Sequence, residues 1–297
     1  MKAALDIGSN SVKLLIAEPT GGPVQIVLDR VVVTRLSQGV DAAGHLHPDA
    51  VARTLEVLRA FAGLCREYRV DDVAAVGTAV LRDASDAPAF LAACRGLGFE
   101  VEVVGGETEA EIVRLAARYE VDGLDDDAVL VDIGGGSTEV VWNGGCQSTE
   151  LGVVRLTERH VHQDPPGNET LAALRRAVDA RLAPLPLPAR VSAVVGSSAS
   201  CSLLARLSLG LAAHDPQRVH GHRLALSELG RLADLLASQT DAERAAWPGI
   251  DPRRADVLLA GAAVLEGAAR RAGVDEVVVS DRGTRYGIFH RAFDARR

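Results

Sequence analysis

Two glycine-rich loops hold the polar side chains of this chain that are best suited to binding a phosphate group. The first reads DIGSNS over residues 6–11, and the second reads DIGGGST over residues 132–138. Glycine lets a turn bring backbone N–H groups close to an anion, and Ser, Thr and Asn side chains add further donors. The aspartate that ends each preceding strand, Asp6 or Asp132, is suited to organising a Mg²⁺ ion or a water molecule. Either loop alone is equally typical of an ordinary β-hairpin.

The two loops lie within a longer repeat. Residues 5–16, LDIGSNSVKLLI, align without a gap on residues 131–142, VDIGGGSTEVVW. Two copies of this hairpin favour a phosphate site over two unrelated turns, and they indicate an internal duplication with paired domains. We therefore predict an N-terminal lobe over residues 1–122 and a C-terminal lobe over residues 123–297, with the acidic connector 121–127 as the crossing point. The final segment either stays with the second lobe or packs back on the first.

A third loop, GSSAS over residues 196–200, follows an apolar strand and precedes a helix. Small residues at a helix N-terminus, beginning with Gly196 and Ser197, suit contact with an anion or a nucleotide. The same pattern is typical of a strand-to-helix turn with a serine cap. Both interpretations stay open at this point.

Length and composition indicate an α/β protein of two domains. The chain has 297 residues, of which 47% are apolar but only 3% aromatic. Val, Leu, Ile and Ala must therefore build the cores, which favours buried parallel strands covered by helices. Periodicity predicts late helices over residues 223–238 and 252–272 and a last strand over residues 274–280. The net charge of −8 argues against general nucleic-acid binding, which depends on Lys and Arg contacts to phosphates.

The cysteines and the apolar runs predict a cytoplasmic protein without a membrane partner. None of the four cysteines lies at CxxC spacing, so free thiols in a reducing compartment are expected. The first residues, MKAALDIGSN, become polar too early for a signal peptide. No apolar run reaches the roughly 18 residues that cross a bilayer.

The loops together resemble the phosphate loops of the superfamily of actin, hexokinase and heat-shock ATPases. The similarity is greatest to the exopolyphosphatase and guanosine pentaphosphate phosphohydrolase family, and it covers nearly the whole chain. Besides the loops, it rests on the segments VGTAVLRDASDAPAFL, VEVVGGETEAEI, LGLAAHDPQRVHGHRL, GIDPRRADVLLAGAAVL and SDRGTRYGI. The resemblance implies an α/β fold of two ribonuclease-H-like lobes of the actin-like ATPase type, with an interlobe cleft. It also implies the short form of the family, without the extra C-terminal domains of the long bacterial enzymes.

The resemblance implies two catalytic residues that lie between the loops in sequence. Glu109 matches the family's catalytic glutamate and would orient or deprotonate the attacking water. Thr108 replaces the first glutamate of the family's usual adjacent pair, which leaves open whether Glu107 shares this task. Arg82 would contact a phosphate oxygen and compensate charge as the bond breaks.

The resemblance also implies a metal site and a phosphate cradle. Asp132 would bind Mg²⁺ or help to activate water, Asp6 would be its counterpart as a metal ligand, and Glu139 would lie near the same metal and water. The residues expected to contact substrate are Gly134, Gly135, Gly136, Ser137 and Thr138 on one wall, Ser9, Asn10 and Ser11 on the other, and Gly196 and Ser197 in the third loop.

These roles predict an exopolyphosphatase that releases orthophosphate from inorganic polyphosphate with Mg²⁺ or another divalent cation, in a chain that forms a homodimer. Guanosine pentaphosphate hydrolysis is the alternative, because its site chemistry is shared; the lack of an obvious base-stacking aromatic cluster favours polyphosphate. A kinase of the superfamily is disfavoured by the segment around Glu109. A non-catalytic phosphate sensor is disfavoured by the intact carboxylates.

A cluster of histidines stands apart from the loops. His214, Asp215, His220 and His222 lie close together in sequence, but their spacing matches no strong metal motif. We therefore favour structural or substrate-side contacts over a metal site for this segment.

Overall fold

The computed structural model describes residues 1–294. Its strands are β1 (Lys2–Ile7), β2 (Ser11–Glu18), β3 (Gln25–Val33), β4 (Asp72–Gly77), β5 (Val101–Val103), β6 (Val129–Ile133), β7 (Thr138–Trp142), β8 (Gly145–Thr149), β9 (Val194–Ser197), β10 (Arg223–Ala225) and β11 (Glu276–Ser280). Its helices are α1 (Val40–Ala43), α2 (Pro48–Glu67), α3 (Ala79–Asp83), α4 (Ala87–Gly96), α5 (Gly106–Glu120), α6 (Val153–His160), α7 (Gly167–Leu182), α8 (Ala199–Ser208), α9 (Pro216–Val219), α10 (Leu226–Ser238), α11 (Asp241–Ala245), α12 (Leu258–Ala272) and α13 (Thr284–Phe293).

The chain forms two compact units. The first contains residues 1–120 together with the C-terminal helix α13, and the second contains residues 121–281. The chain thus leaves the first unit after Glu120 and returns to it at Arg282. Each unit has its own sheet and its own hydrophobic core.

The first unit is built on a five-stranded mixed sheet in the order β3-β2-β1-β4-β5. β1, β2 and β3 are antiparallel, whereas β4 and β5 run parallel to β1. Side chains alternate along β1, so Leu5 and Ile7 enter the core lined by α2 and α4, while Ala4 enters the core lined by α5 and α13. Because the sheet is covered on both faces, its strands are almost continuously apolar.

The second unit is built on a six-stranded mixed sheet in the order β10-β11-β9-β6-β7-β8. β9 runs parallel to both β6 and β11, and the other pairs are antiparallel. Helix α12 is buried from Leu258 to Ala269. Its glycines permit this, because a Cβ at Gly261 or Gly267 would lie 2.5 Å from a carbon atom of Ser200 or Val178.

Two of the helices predicted from periodicity are shorter than expected. Residues 223–225 form β10 because Leu224 is buried and pairs with β11, so the helix begins only afterwards. Residues 252–254 form a 3₁₀ turn, and α12 begins only at Leu258. Periodicity did not indicate α13, since this helix buries Arg285 and His290 among its apolar residues. None of the helices within residues 1–294 is both long enough and apolar enough to cross a bilayer.

Candidate active site

The first glycine-rich loop joins β1 to β2 in a tight hairpin. The N–H of Gly8 donates to the carbonyl oxygen of Ser11 at 3.1 Å. The carbonyl oxygens of Ser9 and Asn10 accept hydrogen bonds from N–H groups within residues 34–37, so a second segment of the chain braces the turn. Ser9, Asn10 and Ser11 are all buried. The backbone of the loop is therefore fixed by the first unit itself.

Asp6 lies at the carboxyl end of β1, next to this loop, and is 1% exposed. The antiparallel register places it opposite Lys13, whose Nζ donates to Asp6 Oδ2 at 2.6 Å. Within residues 1–294, the buried atoms Asp6 Oδ1 and Asn10 Oδ1 have no hydrogen-bond partner. Buried acceptors are normally satisfied, so these two oxygens indicate a place where an ion, a water molecule or a ligand donor binds.

Arg82 and Glu109 form an ion pair in the first unit. Arg82 Nη1 donates to Glu109 Oε2 at 2.6 Å and to the carbonyl oxygen of Val104 at 2.6 Å. Glu109 is only 5% exposed, whereas 26% of the Arg82 side chain is exposed. Burial of a carboxylate is costly without a partner, and the guanidinium compensates that cost.

The parallel strands explain how Asp6, Arg82 and Glu109 reach the same edge of the sheet. Asp6 precedes the end of β1, Arg82 lies in α3 after β4, and Glu109 lies in the first turns of α5 after β5. Because β1, β4 and β5 are parallel neighbours, their carboxyl ends meet at one edge. Ligand sites in sheets of this kind form at the carboxyl ends of the strands.

The neighbouring acidic residues of α5 differ from Glu109 in exposure. Glu107 and Glu111 are exposed, whereas Glu109 is buried. Glu107 and Glu111 each lie two residues from Glu109, and residues two apart on a helix do not share a face, so both point away from the side on which Glu109 binds Arg82. The geometry supports Glu109 alone as the candidate base.

The second glycine-rich loop repeats the backbone of the first. The N–H of Gly134 donates to the carbonyl oxygen of Ser137 at 2.9 Å, the counterpart of the bond from Gly8 to Ser11. A Cβ at Gly134 would lie 2.8 Å from that same oxygen. The repeat seen in the sequence is thus also a repeat in hydrogen bonding.

The start of α6 braces this second loop. The first N–H groups of the helix donate to the carbonyl oxygens of Gly134 and Gly135, both at 2.9 Å. Gly152, the N-cap of α6, lies so close that a Cβ there would be 2.2 Å from the carbonyl carbon of Gly136 and 2.3 Å from the oxygen of Gly135. Only glycine fits at residue 152 without displacing the loop.

Two buried carboxylates face each other across the second hairpin. The register pairs Asp132 with Glu139, and these residues are 8% and 1% exposed. Ser197 Oγ donates to Asp132 Oδ1 at 2.6 Å, and Ser148 Oγ donates to Glu139 Oε1 at 2.8 Å. Paired carboxylates with fixed orientation are suitable ligands for a hard divalent cation. Ser148 was not predicted from the sequence, because it reaches Glu139 only through the pairing of β7 with β8.

The third loop combines both of its predicted features. Ser198 Oγ accepts a hydrogen bond from the N–H of Cys201 at 2.9 Å, so a serine cap is present. Ser197 contacts Asp132, as described above, and so lies beside the second loop. A Cβ at Gly196 would lie 2.6 Å from Leu265 Cδ1, which explains this glycine by packing against α12. Thr138, predicted for the cradle, is 0% exposed and donates its hydroxyl to the carbonyl oxygen of Leu151 at 2.8 Å.

Comparison with known proteins assigns the chain to a family. The model of the Ppx/GppA phosphatase family matches residues 15–295. The chain belongs to the Ppx/GppA phosphatase family. It is 35% identical to Exopolyphosphatase 2 of Mycobacterium tuberculosis, over 96% of each chain. The crystal structure of the Aquifex aeolicus member of the family is 32% identical, with a TM-score of 0.82 over 98% of this chain and 96% of that one.

A second solved structure, of an exopolyphosphatase-like protein, is 30% identical, with a TM-score of 0.91 over 99% of this chain and 98% of that one. The predicted Ppx/GppA resemblance and the predicted mixed α/β fold of the actin-like ATPase type are thereby confirmed. The chain is accordingly a phosphoanhydride hydrolase by family. The roles of its individual site residues remain predictions.

The histidine segment of this Ppx/GppA chain is attached to the end of β11. His214 Nε2 lies 3.0 Å from Asp281 Oδ2, and Ser202 Oγ donates to Asp281 Oδ1 at 2.6 Å. Asp281 thus joins α8 to the segment that follows it. Within residues 1–294, no group of three or more His, Cys, Asp or Glu side chains is arranged to hold a metal ion.

Proposed function

We propose that this chain is an exopolyphosphatase, which hydrolyses the terminal phosphoanhydride bond of inorganic polyphosphate and releases orthophosphate. Membership of the Ppx/GppA family supports the reaction class, and the relative named Exopolyphosphatase 2 supports the substrate. The structural observation that carries the proposal is the pairing of buried Glu109 with Arg82 at the carboxyl edge of the first sheet.

In this mechanism, Glu109 orients a water molecule and accepts its proton as the water attacks the terminal phosphorus. The Arg82 guanidinium contacts a phosphoryl oxygen, and its second bond, to the Val104 carbonyl, holds it in position. Phosphoryl transfer passes through a loose transition state, so positioning and charge neutralisation supply most of the catalysis. The leaving phosphate retains the negative charge, and no covalent enzyme intermediate is required.

Each glycine-rich loop is suited to binding phosphate oxygens in its own unit. The first loop contributes Ser9, Asn10 and Ser11, and the second contributes residues 134–137, whereas Thr138 is fully buried and its hydroxyl binds the Leu151 carbonyl. Each is a rigid hairpin whose own N–H to carbonyl bond is formed before substrate arrives. A loop fixed in this way can bind an anion through its other donors without the cost of ordering the backbone. Gly196 and Ser197 are proposed as further contacts, with Ser197 acting through Asp132.

The carboxylates fit a divalent cation such as Mg²⁺. Asp132 and Glu139 supply oxygen ligands from paired strands, and serine hydroxyls orient both. Mg²⁺ is commonly held by one or two carboxylates together with waters and substrate phosphates, so a site without three clustered acidic residues suits it. When bound, the ion would neutralise charge on the phosphates. Asp6 is the second ligand predicted from the sequence, but its Oδ2 already accepts the Lys13 ammonium at 2.6 Å, so Asp132 and Glu139 suit the ion better.

The proposal also includes a cytoplasmic location and a homodimer. All four cysteines are free, and three of them are buried, as expected for a protein that folds in a reducing compartment. Size-exclusion chromatography with light scattering measures the oligomeric state directly.

A phosphate-release assay with Mg²⁺ tests the proposed function. We expect release from long and short polyphosphate, and we expect Glu109→Gln to lower kcat by about 10²- to 10⁴-fold, the usual contribution of a general base. Glu111→Gln is the matched control, since it neutralises an exposed carboxylate on the same helix and should keep wild-type activity. Release from none of the substrates would refute the hydrolase, and a Glu109→Gln variant near wild type would refute the role of Glu109.

The same assay includes guanosine pentaphosphate and ATP. A higher kcat/KM for guanosine pentaphosphate than for polyphosphate would replace the proposed substrate with the family's alternative. It would leave the assigned roles of Glu109 and Arg82 unchanged, because the bond that breaks is of the same kind.

A further inference from the structure

The two repeated hairpins differ at the residue that faces the aspartate. In the first, the cross-strand partner of Asp6 is Lys13, and in the second the partner of Asp132 is Glu139. These residues occupy equivalent places in the repeat, seven positions after each aspartate. One pair therefore has no net charge, whereas the other is doubly acidic when ionised. The two copies of the hairpin therefore differ in net charge at this pair of positions.

Lys13 is an unusual residue in this chain. The chain contains 32 Lys and Arg residues, and only Lys2 and Lys13 are lysines. The Lys13 side chain is 22% exposed and its ammonium binds the nearly inaccessible Asp6 carboxylate at 2.6 Å. Lysine presents a compact point charge, whereas arginine presents a planar fork, so a lysine here resembles a small monatomic cation in shape and charge.

We propose that Lys13 is the resident cation of the first hairpin: it neutralises Asp6, keeps divalent cations away from that aspartate, and leaves the acidic pair of the second hairpin as the metal site. The inference rests on the proposed metal-assisted function and deepens it. It makes Lys13 a positioning residue, and it gives the two copies of the repeat separate tasks.

Electrostatics favours this division. A divalent ion at Asp6 would lie within a few ångströms of the Lys13 ammonium, and like charges at that distance repel strongly where water is scarce. The second hairpin attracts a cation instead, because its cross-strand pair carries two negative charges, one on Asp132 and one on Glu139. The unpartnered Asp6 Oδ1 and Asn10 Oδ1 then accept hydrogen bonds from water or from substrate-bound water.

Calorimetric titration with Mn²⁺, in the absence of substrate, tests the inference without using activity. We expect wild type to bind one Mn²⁺ per chain, Asp6→Asn to leave that affinity unchanged, and Glu139→Gln to lower it at least about tenfold by removing an anionic ligand. Lys13→Met removes the charge but keeps the length, and we expect it to bind a second Mn²⁺. Lys13→Arg should still bind one Mn²⁺ per chain. The double variant Lys13→Met with Asp6→Asn should also bind only one.

Several results would overturn the inference. These are a loss of Mn²⁺ affinity in Asp6→Asn on the wild-type background, a Lys13→Met variant that still binds one ion, and a wild-type chain that binds none. If Lys13→Met fails to fold, the comparison of Asp6→Asn with Glu139→Gln still decides which of the two hairpins binds the ion. Phosphate release plays no part in these outcomes, so a chain without hydrolase activity would refute the proposed function and leave this test valid.

The scarcity of lysine offers a second measurement. Reductive ¹³C-methylation labels Lys2, Lys13 and the N-terminal amine, which gives a very simple NMR spectrum. We expect the Lys13 signal to move in Asp6→Asn and to stay unchanged on addition of Mg²⁺. Lys2 is the internal control, because its ammonium lies 4.0 Å from exposed Asp72 at the other end of β1. A Lys13 signal insensitive to Asp6→Asn would contradict the ion pair.

Discussion

Arg82 donates to Glu109 at 2.6 Å, so the proposed phosphate-binding cation and the proposed base are held as one pair. The pairing has a consequence for catalysis. Glu109 is buried and depends on the guanidinium for compensation, while Arg82 is the more exposed partner and can contact a ligand. Substitution at Arg82 should therefore affect both the binding of phosphate and the orientation of the Glu109 carboxylate.

We predict that Arg82→Ala lowers kcat/KM for polyphosphate by about 10³-fold, somewhat more than the loss of a single transition-state donor. The additional loss arises because Glu109 would be left without its cation. Arg82→Lys should recover part of kcat, since it restores the charge but lacks the further guanidinium nitrogens that can contact phosphate while Nη1 binds Glu109 and Val104. Steady-state phosphate release measures both variants. Equal kcat/KM for Arg82→Ala and wild type would contradict the assignment.

The sequence singled out both members of this pair but did not indicate their contact. Glu109 and Arg82 were found because their segments resemble those of a known family. Their contact was not predicted, because it depends on β4 and β5 lying side by side as parallel strands, which brings residues 27 positions apart together. Gly152, which supports the second loop through its close contact with Gly136, carries no local sequence signal.

Gly152→Ala should damage the second loop. Its Cβ would lie 2.2 Å from the backbone of Gly136, and backbone cannot move aside as a flexible side chain can. We expect a loss of stability of about 1–3 kcal/mol and a large loss of activity, because overpacking displaces either the loop or α6. Thermal unfolding and phosphate release measure the two effects. Gly63→Ala is the control: it adds a methyl group in open space within α2 and should be neutral or slightly stabilising.

Three buried thiols should make the protein less stable in alkali. Burial raises the pKa of Cys65 from 9.0 to about 11 and the pKa of Cys94 and Cys201 to about 12. Between pH 9 and these values the unfolded chain loses thiol protons that the folded chain keeps, so the free energy of unfolding falls as pH rises. Each thiol adds a slope of about 1.4 kcal/mol per pH unit.

Urea unfolding at intervals between pH 8 and 10 measures this slope. Replacing the three buried cysteines by alanine should flatten it, whereas Cys146→Ala, at a half-buried position, should leave it unchanged. A slope of the same size in the triple variant would show that other groups are responsible.

The docking of α13 in the first unit depends on a buried imidazole. His290 is 0% exposed, and its Nε2 and Nδ1 lie 2.7 Å from Glu120 and 2.9 Å from Asp294. The ring also stacks on Tyr119 at 4.3 Å. This cluster joins α13 to the end of α5, the point at which the chain leaves the first unit.

We predict that His290→Ala lowers the free energy of unfolding by about 3–5 kcal/mol, because it removes a buried partner from two carboxylates and leaves a cavity beside Tyr119. Adding Glu120→Gln to this variant should restore part of the stability, since it removes one of the two buried carboxylates that lost the imidazole. His45→Ala, at an exposed position, should change stability by less than about 0.5 kcal/mol. Urea unfolding of these variants, of the Glu120→Gln single variant and of wild type measures these differences, and additive effects of His290→Ala and Glu120→Gln would show that the two side chains are not coupled.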